Sequence, residues 1–511
     1  MFALNIEDLT ALAKRKGIFA PTAEIYGGAS GLYDYGHIGA AIKRRFESVW
    51  MAYFVERMEN YHLIDGSTIL PEKPLVASGH AALFNDILVG CTKCNTYFRA
   101  DVLLKDLGID VSEGANAAEL DDAISKNKVI CPKCKGTFGA SRAFNMMFDL
   151  YLGPERNEKA YLRPETAQSV YLNFFREFSI SKKKLPFGLA AVGKAYRNEI
   201  SPRQGLYRLR ELTQAELQIF FAPDSWGISI DSIKDLKLNV AMYVNEGRQE
   251  SISVQDIVER YNIPQFYAFH MGLINTFYTE VIGISGDRIR FYEKGGNEKA
   301  FYNKLHMDIE VNVESWGGFR EVGGLHYRTD YDLKAHSKGS GQDLSIRTGD
   351  KKLVPHVLEL SFGVDRNIWM MIDCLYEKTD SRSILKLPKP LAPVIAGIFP
   401  LQREDALVRK AREVYLSLKP ILSVEFDMSG SIGRRYARMD EIGTPFCITI
   451  DYDTVDRNSE NYDTVTLRNM EDKSQMRIKI SDMADMLLQA SKFDPSRFSN
   501  ISNYAAYADD D

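Results

Sequence analysis

The stretch 195–221, AYRNEISPRQGLYRLRELTQAELQIFF, sets four arginines (Arg197, Arg203, Arg208, Arg210) and three glutamates (Glu199, Glu211, Glu216) between apolar ends. The ends read as strands and the middle as a turn. Alternate side chains of a strand share a face, so Arg197 and Glu199 point one way. On the return strand Leu212, Gln214 and Glu216 share one face, and Thr213, Ala215, Leu217, Ile219 and Phe221 share the other. The second set belongs on a core and the first along a cavity. A solvated hairpin with weak surface ion pairs is the competing reading. A polar face lying across a sheet whose back is buried argues against it.

HVLELSFGVDR, residues 356–366, repeats the design. Val357, Glu359 and Ser361 alternate with Leu358, Leu360 and Phe362. Gly363 ends the strand, Asp365 is placed to cap the following helix, and Arg366 falls in its first turn. Two strands with carboxylates on one face and arginines at their ends suit a polyphosphate together with a cationic group.

Around these strands the composition is ordinary. Of 511 residues, 45% are hydrophobic and 26% charged, with net charge -5, which suggests roughly two to four globular domains. Global charge does not announce a nucleic-acid partner, although a local basic patch is compatible with it. No apolar run is long enough to predict a membrane helix. MFALNIEDLT has early acids and no long apolar core, so no secretory signal is expected and the location expected is cytoplasmic.

Residues 5–16 and 40–58 have helical spacing, and EIYGGASGLYDYGHIG between them is a Gly- and Tyr-rich loop. ETAQSVYLNFFREF (165–178) places apolar residues at 167, 170, 171, 174, 175 and 178, one helix face. KLPKPLAPV (386–394) reads as a linker, followed by alternating strands and helices of an α/β domain. HIGA (37–40) and GLAAVGKA (188–195) approach known nucleotide-binding signatures. The first lacks a partner motif, and the second lacks the Ser or Thr and the helix start a P-loop needs. Cys91-x2-Cys94 and Cys131-x2-Cys134 have four-thiolate zinc-ribbon spacing, with reduced buried thiols as the alternative. Cys374 and Cys447 read as small core residues.

YRNE, RLREL and QAE resemble motif 2 of the class II aminoacyl-tRNA synthetases, and ELSFGVDR resembles motif 3. EIYGGASGLYDYG, LVASGHAALFND (75–86), YLRPETAQ (161–168) and GSIGRRYARMDEIGTPFCITID (430–451) are similar to the homodimeric glycyl-tRNA synthetase family, so the likeness runs from about residue 14 to 480. The resemblance implies an α+β protein. Its class II antiparallel sheet flanked by helices would occupy 1–390, with a zinc-ribbon-like insertion at 91–140 and a second insertion, of unclear role, at about 222–300. A C-terminal α/β anticodon-binding domain would follow at 391–495, then a flexible tail at 496–511. It also implies activation of glycine by ATP, transfer to tRNA(Gly), Mg2+ with ATP, a structural Zn2+, no membrane partner, and a homodimer through the motif 1 region at about 40–74.

Carried over by position, Arg197 would hold the α-phosphate and the glycine carboxylate, with Arg366 as the second catalytic arginine. Glu199 would accept from the adenine amino group, with Asn198 beside it. Arg208 and Arg366 would hold the distal phosphates and adenine ring, with Tyr207, Leu209 and Gly363 nearby. Glu321, with Val322 adjacent, falls at an ATP and magnesium position. Leu212 stands where the family usually has a Phe that stacks on adenine. The glycine pocket would hold Glu165, Gln214, Glu216, Glu359, Leu360 and Ser361, with Arg99 of an RAD segment near the substrate. Glycine has no side chain to grip, so carboxylates around its ammonium must supply affinity. A class II synthetase for serine, threonine or proline is one rival, and a non-catalytic RNA-binding paralogue is another. Retention of Arg197 and Arg366 argues against the second.

Overall fold

The computed structural model describes residues 5–112, 115–182, 184–200, 202, 204–224, 227–295, 303–348, 351–379 and 382–501. Arg203 of the charged hairpin and residues 502–511 of the expected tail lie outside them.

Nine strands form the central sheet: β1 (Tyr61–Leu63), β2 (Phe187–Tyr196), β3 (Glu211–Phe221), β4 (Lys237–Ala241), β5 (Gln249–Ser253), β6 (Ile289–Glu293), β7 (Leu305–Val313), β8 (Gly318–Thr329) and β9 (His356–Gly363). Their spatial order is β5-β4-β6-β7-β8-β9-β3-β2-β1. The centre is antiparallel, as expected. The sheet is nonetheless mixed, because β1 runs parallel to β2 and β4 parallel to β6. Parallel neighbours need long crossovers, and the chain supplies them at 64–186 and 242–288. The second insertion therefore has a structural part to play. It adds β4, β5 and β6 to one edge, and its helix α3 (Gln265–Thr276) is buried in the main core.

Two apolar clusters sandwich the sheet. Ala215, Leu217, Ile219 and Phe221 of β3 and Leu358, Leu360 and Phe362 of β9 face the larger one, with α1 (His37–Met51) and α5 (Val364–Leu375). The opposite face meets α2 (Ala167–Ser181) through Val170, Tyr171, Phe174, Phe187, Leu189, Phe220 and Val357. The stripe expected on α2 is narrower than its sequence suggests, since Phe175 at its margin is 42% exposed. Beyond the α2 contact the same face turns polar, and the cavity lies there.

Asp365 does not cap α5. Its Oδ1 accepts from the Tyr35 hydroxyl at 2.6 Å and its Oδ2 from the Thr213 amide at 2.5 Å, so it ties the Gly-rich loop and β3 to the start of α5. Gly205 at the hairpin turn has φ +61, and a Cβ there would sit 1.9 Å from Trp369 Cζ3. Only glycine fits that approach.

The cysteine-bearing module has its own three-stranded sheet (Asn85–Gly90, Tyr97–Arg99, Arg142–Asn145) and a small core of Val89, Leu103, Leu104, Leu120 and Ile124. The C-terminal unit is a five-stranded mixed sheet with strands Ala396–Pro400, Val424–Phe426, Phe446–Ile450, Thr464–Asn469 and Gln475–Lys479, flanked by helices, in keeping with the α/β expectation. KLPKPLAPV differs from its reading as a linker. Leu387, Leu391 and Val394 are buried and belong to the larger apolar cluster under the central sheet. Across the joint Arg382 pairs with Asp440 at 2.9 Å and Lys16 pairs with Glu441, while Arg468 holds Asp440 from within the C-terminal unit at 3.0 Å. Prolines favour an extended path, but the apolar residues between them make that path a buried strap. Among the described residues no helix is long and apolar enough to cross a membrane.

Candidate active site

Cross-strand register builds the site. Opposed residues of paired strands share a face, and β3, β9 and β8 align Gln218 with Glu359 and His326 in one row and Glu216 with Ser361 and Gly324 in the next; Gln214 faces Gly363. These rows floor a cavity of about 190 Å³. Of the sequence-predicted residues, Arg197, Glu199, Tyr207, Arg208, Leu209, Leu212, Glu321, Gly363 and Arg366 line it, together with Glu165, Gln214, Glu216, Glu359 and Ser361. Four do not line it. Leu360 and Val322 point into the opposite core, as strand alternation requires. Asn198 is outside the lining, and its backbone N–H donates to the Met146 carbonyl at 2.6 Å. Arg99 is held on the cysteine-bearing module by Asp101 at 2.8 Å and Asp86 at 3.3 Å.

β2 ends at Tyr196, so Arg197 and Glu199 occupy the loop rather than a strand. Arg197 is fixed by its Nε, which donates to the Pro164 carbonyl at 3.1 Å, and by the Phe84 ring, 5.4 Å from its Cζ. Arg366 Nε donates to the Tyr207 carbonyl at 3.1 Å, its Nη1 lies 3.0 Å from Glu321 Oε1, and its guanidinium sits 4.6 Å from the Tyr207 ring centroid. Burial alone would lower the Arg366 pKa; Glu321 beside it reverses the effect and keeps the guanidinium charged. Arg210 clamps the Gly-rich loop, donating to the Ser30 carbonyl at 2.9 Å and to the Glu199 carbonyl at 3.1 Å. One of the arginines counted in the hairpin is thus a loop fastener.

The three buried glutamates of the cavity are not equivalent. Glu359 is saturated: His326 Nδ1 lies 2.5 Å from its Oε1, and Arg328 Nη1 and Gln218 Nε2 donate to its Oε2 at 2.9 Å each. Burial would raise its pKa, but Arg328 and then His326 outweigh burial and hold it down to about 2. Glu165 is likewise held well below the usual carboxylate range, against burial, by His80 and Arg328. Among the described residues the donors to Glu216 are hydroxyls, Thr166 at 2.6 Å and Ser361 at 2.8 Å. Burial, then the neighbouring charges of Glu359 and Glu165, push it up to about 7. Glu216 is therefore the one of these three glutamates that most lacks a cation.

Sequence reading missed the support behind this pocket. Arg328 is buried, forms a two-bonded pair with Asp332 at 2.9 and 3.0 Å, and reaches Glu359. His326, Gln168 and Tyr171 join the same network, and Thr166 supports Glu216 beside it. A signal existed for two of them: His326 and Arg328 alternate with Leu325 and Tyr327 in GGLHYRT, the same period of two seen in β3 and β9.

The four module cysteines also converge. All their Sγ atoms lie within 4.8 Å of one another, and Cys91–Cys134 and Cys94–Cys131 approach to 3.4 and 3.8 Å. A tetrahedral ion with bonds of ~2.3 Å spaces its thiolates ~3.8 Å apart, so the cluster fits zinc.

Comparison with known proteins matches this geometry. Residues 148–374 match the tRNA synthetase class II core domain (G, H, P, S and T), and residues 396–490 match an anticodon binding domain. A glycine–tRNA ligase of Pyrococcus furiosus is 36% identical, covering 93% of this chain and 97% of that protein. The chain belongs to the glycine–tRNA ligase family. Other glycine–tRNA ligases, from Aeropyrum pernix and Methanothrix thermoacetophila, are 36% and 34% identical, each covering 94% of this chain and 96% of their own length. A crystal structure of prolyl-tRNA synthetase from Cryptosporidium parvum, complexed with L-proline and AMP, superposes with TM-score 0.55 over 97% of this chain and 78% of that one; at 13% identity it shows the shared fold. Membership in the glycine–tRNA ligase family makes the chain an ATP-dependent ligase with a class II core and an anticodon-binding domain, and it does not favour the rival readings.

Proposed function

We propose that the cavity activates glycine with ATP and then esterifies tRNA(Gly), with the residues divided by charge. The observation that carries this is the cross-strand arrangement, which gives one cavity arginines on its nucleotide side and a cation-deficient Glu216 on its floor. The glycine ammonium pairs with Glu216 and Glu165, while Ser361 and Gln214 shape the wall. The glycine carboxylate oxygen attacks the α-phosphorus, a P–O bond forms, and pyrophosphate leaves. Arg197 meets the charge that builds on the α-phosphate oxygens. Arg208 and Arg366 bind the distal phosphates and the adenine plane, and Glu199 and Leu212 complete the adenine site. Mg2+ supplied with ATP would sit at Glu321 and neutralise phosphate charge. Glu359 is a saturated counter-charge that keeps Arg328 and the floor in place. In the second step a tRNA 3′-terminal hydroxyl attacks the glycyl carbonyl, the ester bond forms and AMP leaves. Positioning and fixed charge account for both steps.

The same reading takes residues 1–390 as the catalytic unit, 391–495 as the anticodon-binding unit, a homodimer through the motif 1 region, and a cytoplasmic location. The direct test is charging of a tRNA(Gly) transcript with labelled glycine. Glycine-dependent pyrophosphate exchange accompanied by ester formation on the tRNA is expected; exchange with no charging would overturn the second half of the proposal.

The cysteine cluster is proposed as a structural zinc site, since four thiolates leave no open position for catalysis. Elemental analysis is expected to find about one zinc per chain, by the four-ligand count. Cys131→Ser should lose the metal and loosen the module before the catalytic core. A metal-free, fully stable preparation would contradict this.

A further inference from the structure

We propose that His80 and Phe84, on the short segment leading into the cysteine-bearing module, are positioning residues for the two reacting ends of the substrate pair. His80 orients Glu165 for the ammonium, and Phe84 seats Arg197 for the α-phosphate. The inference rests on the pocket assignment above.

His80 opens the short helix His80–Leu83, directly after Gly79 at φ +87. It is buried. Its Nδ1 lies 2.9 Å from Ser78 Oγ and its Nε2 lies 3.4 Å from Glu165 Oε1. Gln168 Nε2 donates to that same oxygen at 2.9 Å, and Gln168 Oε1 is in turn 2.8 Å from His336 Nε2. Two neighbours thus converge on Oε1, which leaves Oε2 for the cavity that Glu165 lines. A buried carboxylate without such support either takes a proton or swings to another partner. His80 therefore fixes both the charge and the direction of Glu165.

Phe84 follows on the same segment. Its ring lies 5.7 Å from the His80 ring and 5.4 Å from Arg197 Cζ. Arg197 is thereby held between that ring and the carbonyl of Pro164, the residue before Glu165. Backbone bonds tie the segment down: the Met146 amide donates to the Phe84 carbonyl at 3.0 Å, and the Asn198 amide to the Met146 carbonyl at 2.6 Å. The strand Asn85–Gly90 then runs directly to Cys91. The root of the cysteine-bearing module thus stands directly behind two residues that line the cavity, Glu165 and Arg197.

The test is steady-state pyrophosphate exchange on the full chain, with His80→Ala, His80→Gln, His80→Asn, Phe84→Ala and Glu165→Gln, each followed by a thermal melt. His80→Ala should raise the glycine KM at least ~10-fold with the ATP KM nearly unchanged, the scale of one buried group losing its partner. His80→Gln places an N–H donor near the position of Nε2 and should recover most of that loss. His80→Asn is too short to reach Glu165 and should not. Phe84→Ala should lower kcat by at least ~10-fold with the glycine KM little changed. If His80→Ala does not fold, the comparison of Gln with Asn decides: equal glycine KM values in those two variants overturn the role of His80. A normal glycine KM in His80→Ala beside a raised one in Glu165→Gln overturns the inference alone. A normal KM in Glu165→Gln as well overturns the pocket assignment beneath it.

Discussion

Arg197→Ala is expected to lower kcat for glycine-dependent pyrophosphate exchange by at least ~100-fold, the scale of one lost oxyanion donor. Its guanidinium is held by the Pro164 carbonyl and the Phe84 ring before any ligand arrives, so it costs little reorganisation when charge develops on the α-phosphate. An interaction realised chiefly in the transition state shows in kcat rather than KM. Kinetics on the purified variant, with folding checked by circular dichroism, measure the effect. A kcat within a few-fold of the parent would move the reaction away from this end of the cavity.

Glu216→Gln should fail differently. It keeps the shape and the hydroxyl contacts of Thr166 and Ser361 but removes the charge that meets the ammonium. The glycine KM should rise by ~30–150-fold, equivalent to ~2–3 kcal/mol for a charge-assisted hydrogen bond, with the ATP KM nearly intact. The pH dependence follows from the same group. Burial and the neighbouring carboxylates raise Glu216 to about 7, so its ionised, ammonium-binding form grows as pH rises through neutrality. The parent's glycine KM should therefore fall from pH 6 to pH 8, and Glu216→Gln should lose that slope. Stability of the unliganded protein carries the opposite sign. A carboxyl whose folded pKa is raised favours the fold below its ordinary pKa, near 4.5, and that contribution is lost as pH rises through about 7. Glycine binding should offset the loss, so the rise in melting temperature that glycine confers should be larger at pH 8 than at pH 6. A pH-independent glycine KM in the parent would remove Glu216 from the ammonium site.

The strands that floor the site were legible because a period of two is hard to hide. Gln214 and Glu216 against Ala215 and Leu217, and Glu359 and Ser361 against Leu358 and Leu360, fix both faces and the register follows. The same rule, applied strictly, excludes the Leu360 and Val322 side chains from the cavity. What was not legible depends on long-range contacts. Asp365 has a helix-capping position in sequence, yet its carboxylate serves Tyr35 and Thr213, residues brought to it by the fold. Arg99 carries a family resemblance but finds nearer acids in Asp86 and Asp101. The segment 386–394 has linker composition, and only the packed structure shows its leucines filling the larger apolar cluster. His326 and Arg328 lay in plain alternation on β8, and their shared partner Glu359 becomes visible only when β8 and β9 are paired, whereas Asp332 lies four residues beyond Arg328 in the next helix.

In the proposed function a small, carboxylate-floored cavity selects an amino acid by its ammonium and rejects any side chain by lack of space. Amino-acid-dependent pyrophosphate exchange into ATP, run with glycine, alanine, serine, threonine and proline, tests it most directly. Glycine should support exchange with a kcat/KM at least ~100-fold above alanine. One extra carbon ordinarily yields ~1–3 kcal/mol of discrimination, so this ratio asks for the upper part of that range, supplied by steric overpacking against a rigid floor. Serine, threonine and proline should be poorer still. Exchange with alanine or serine at a rate comparable to glycine would contradict the claim.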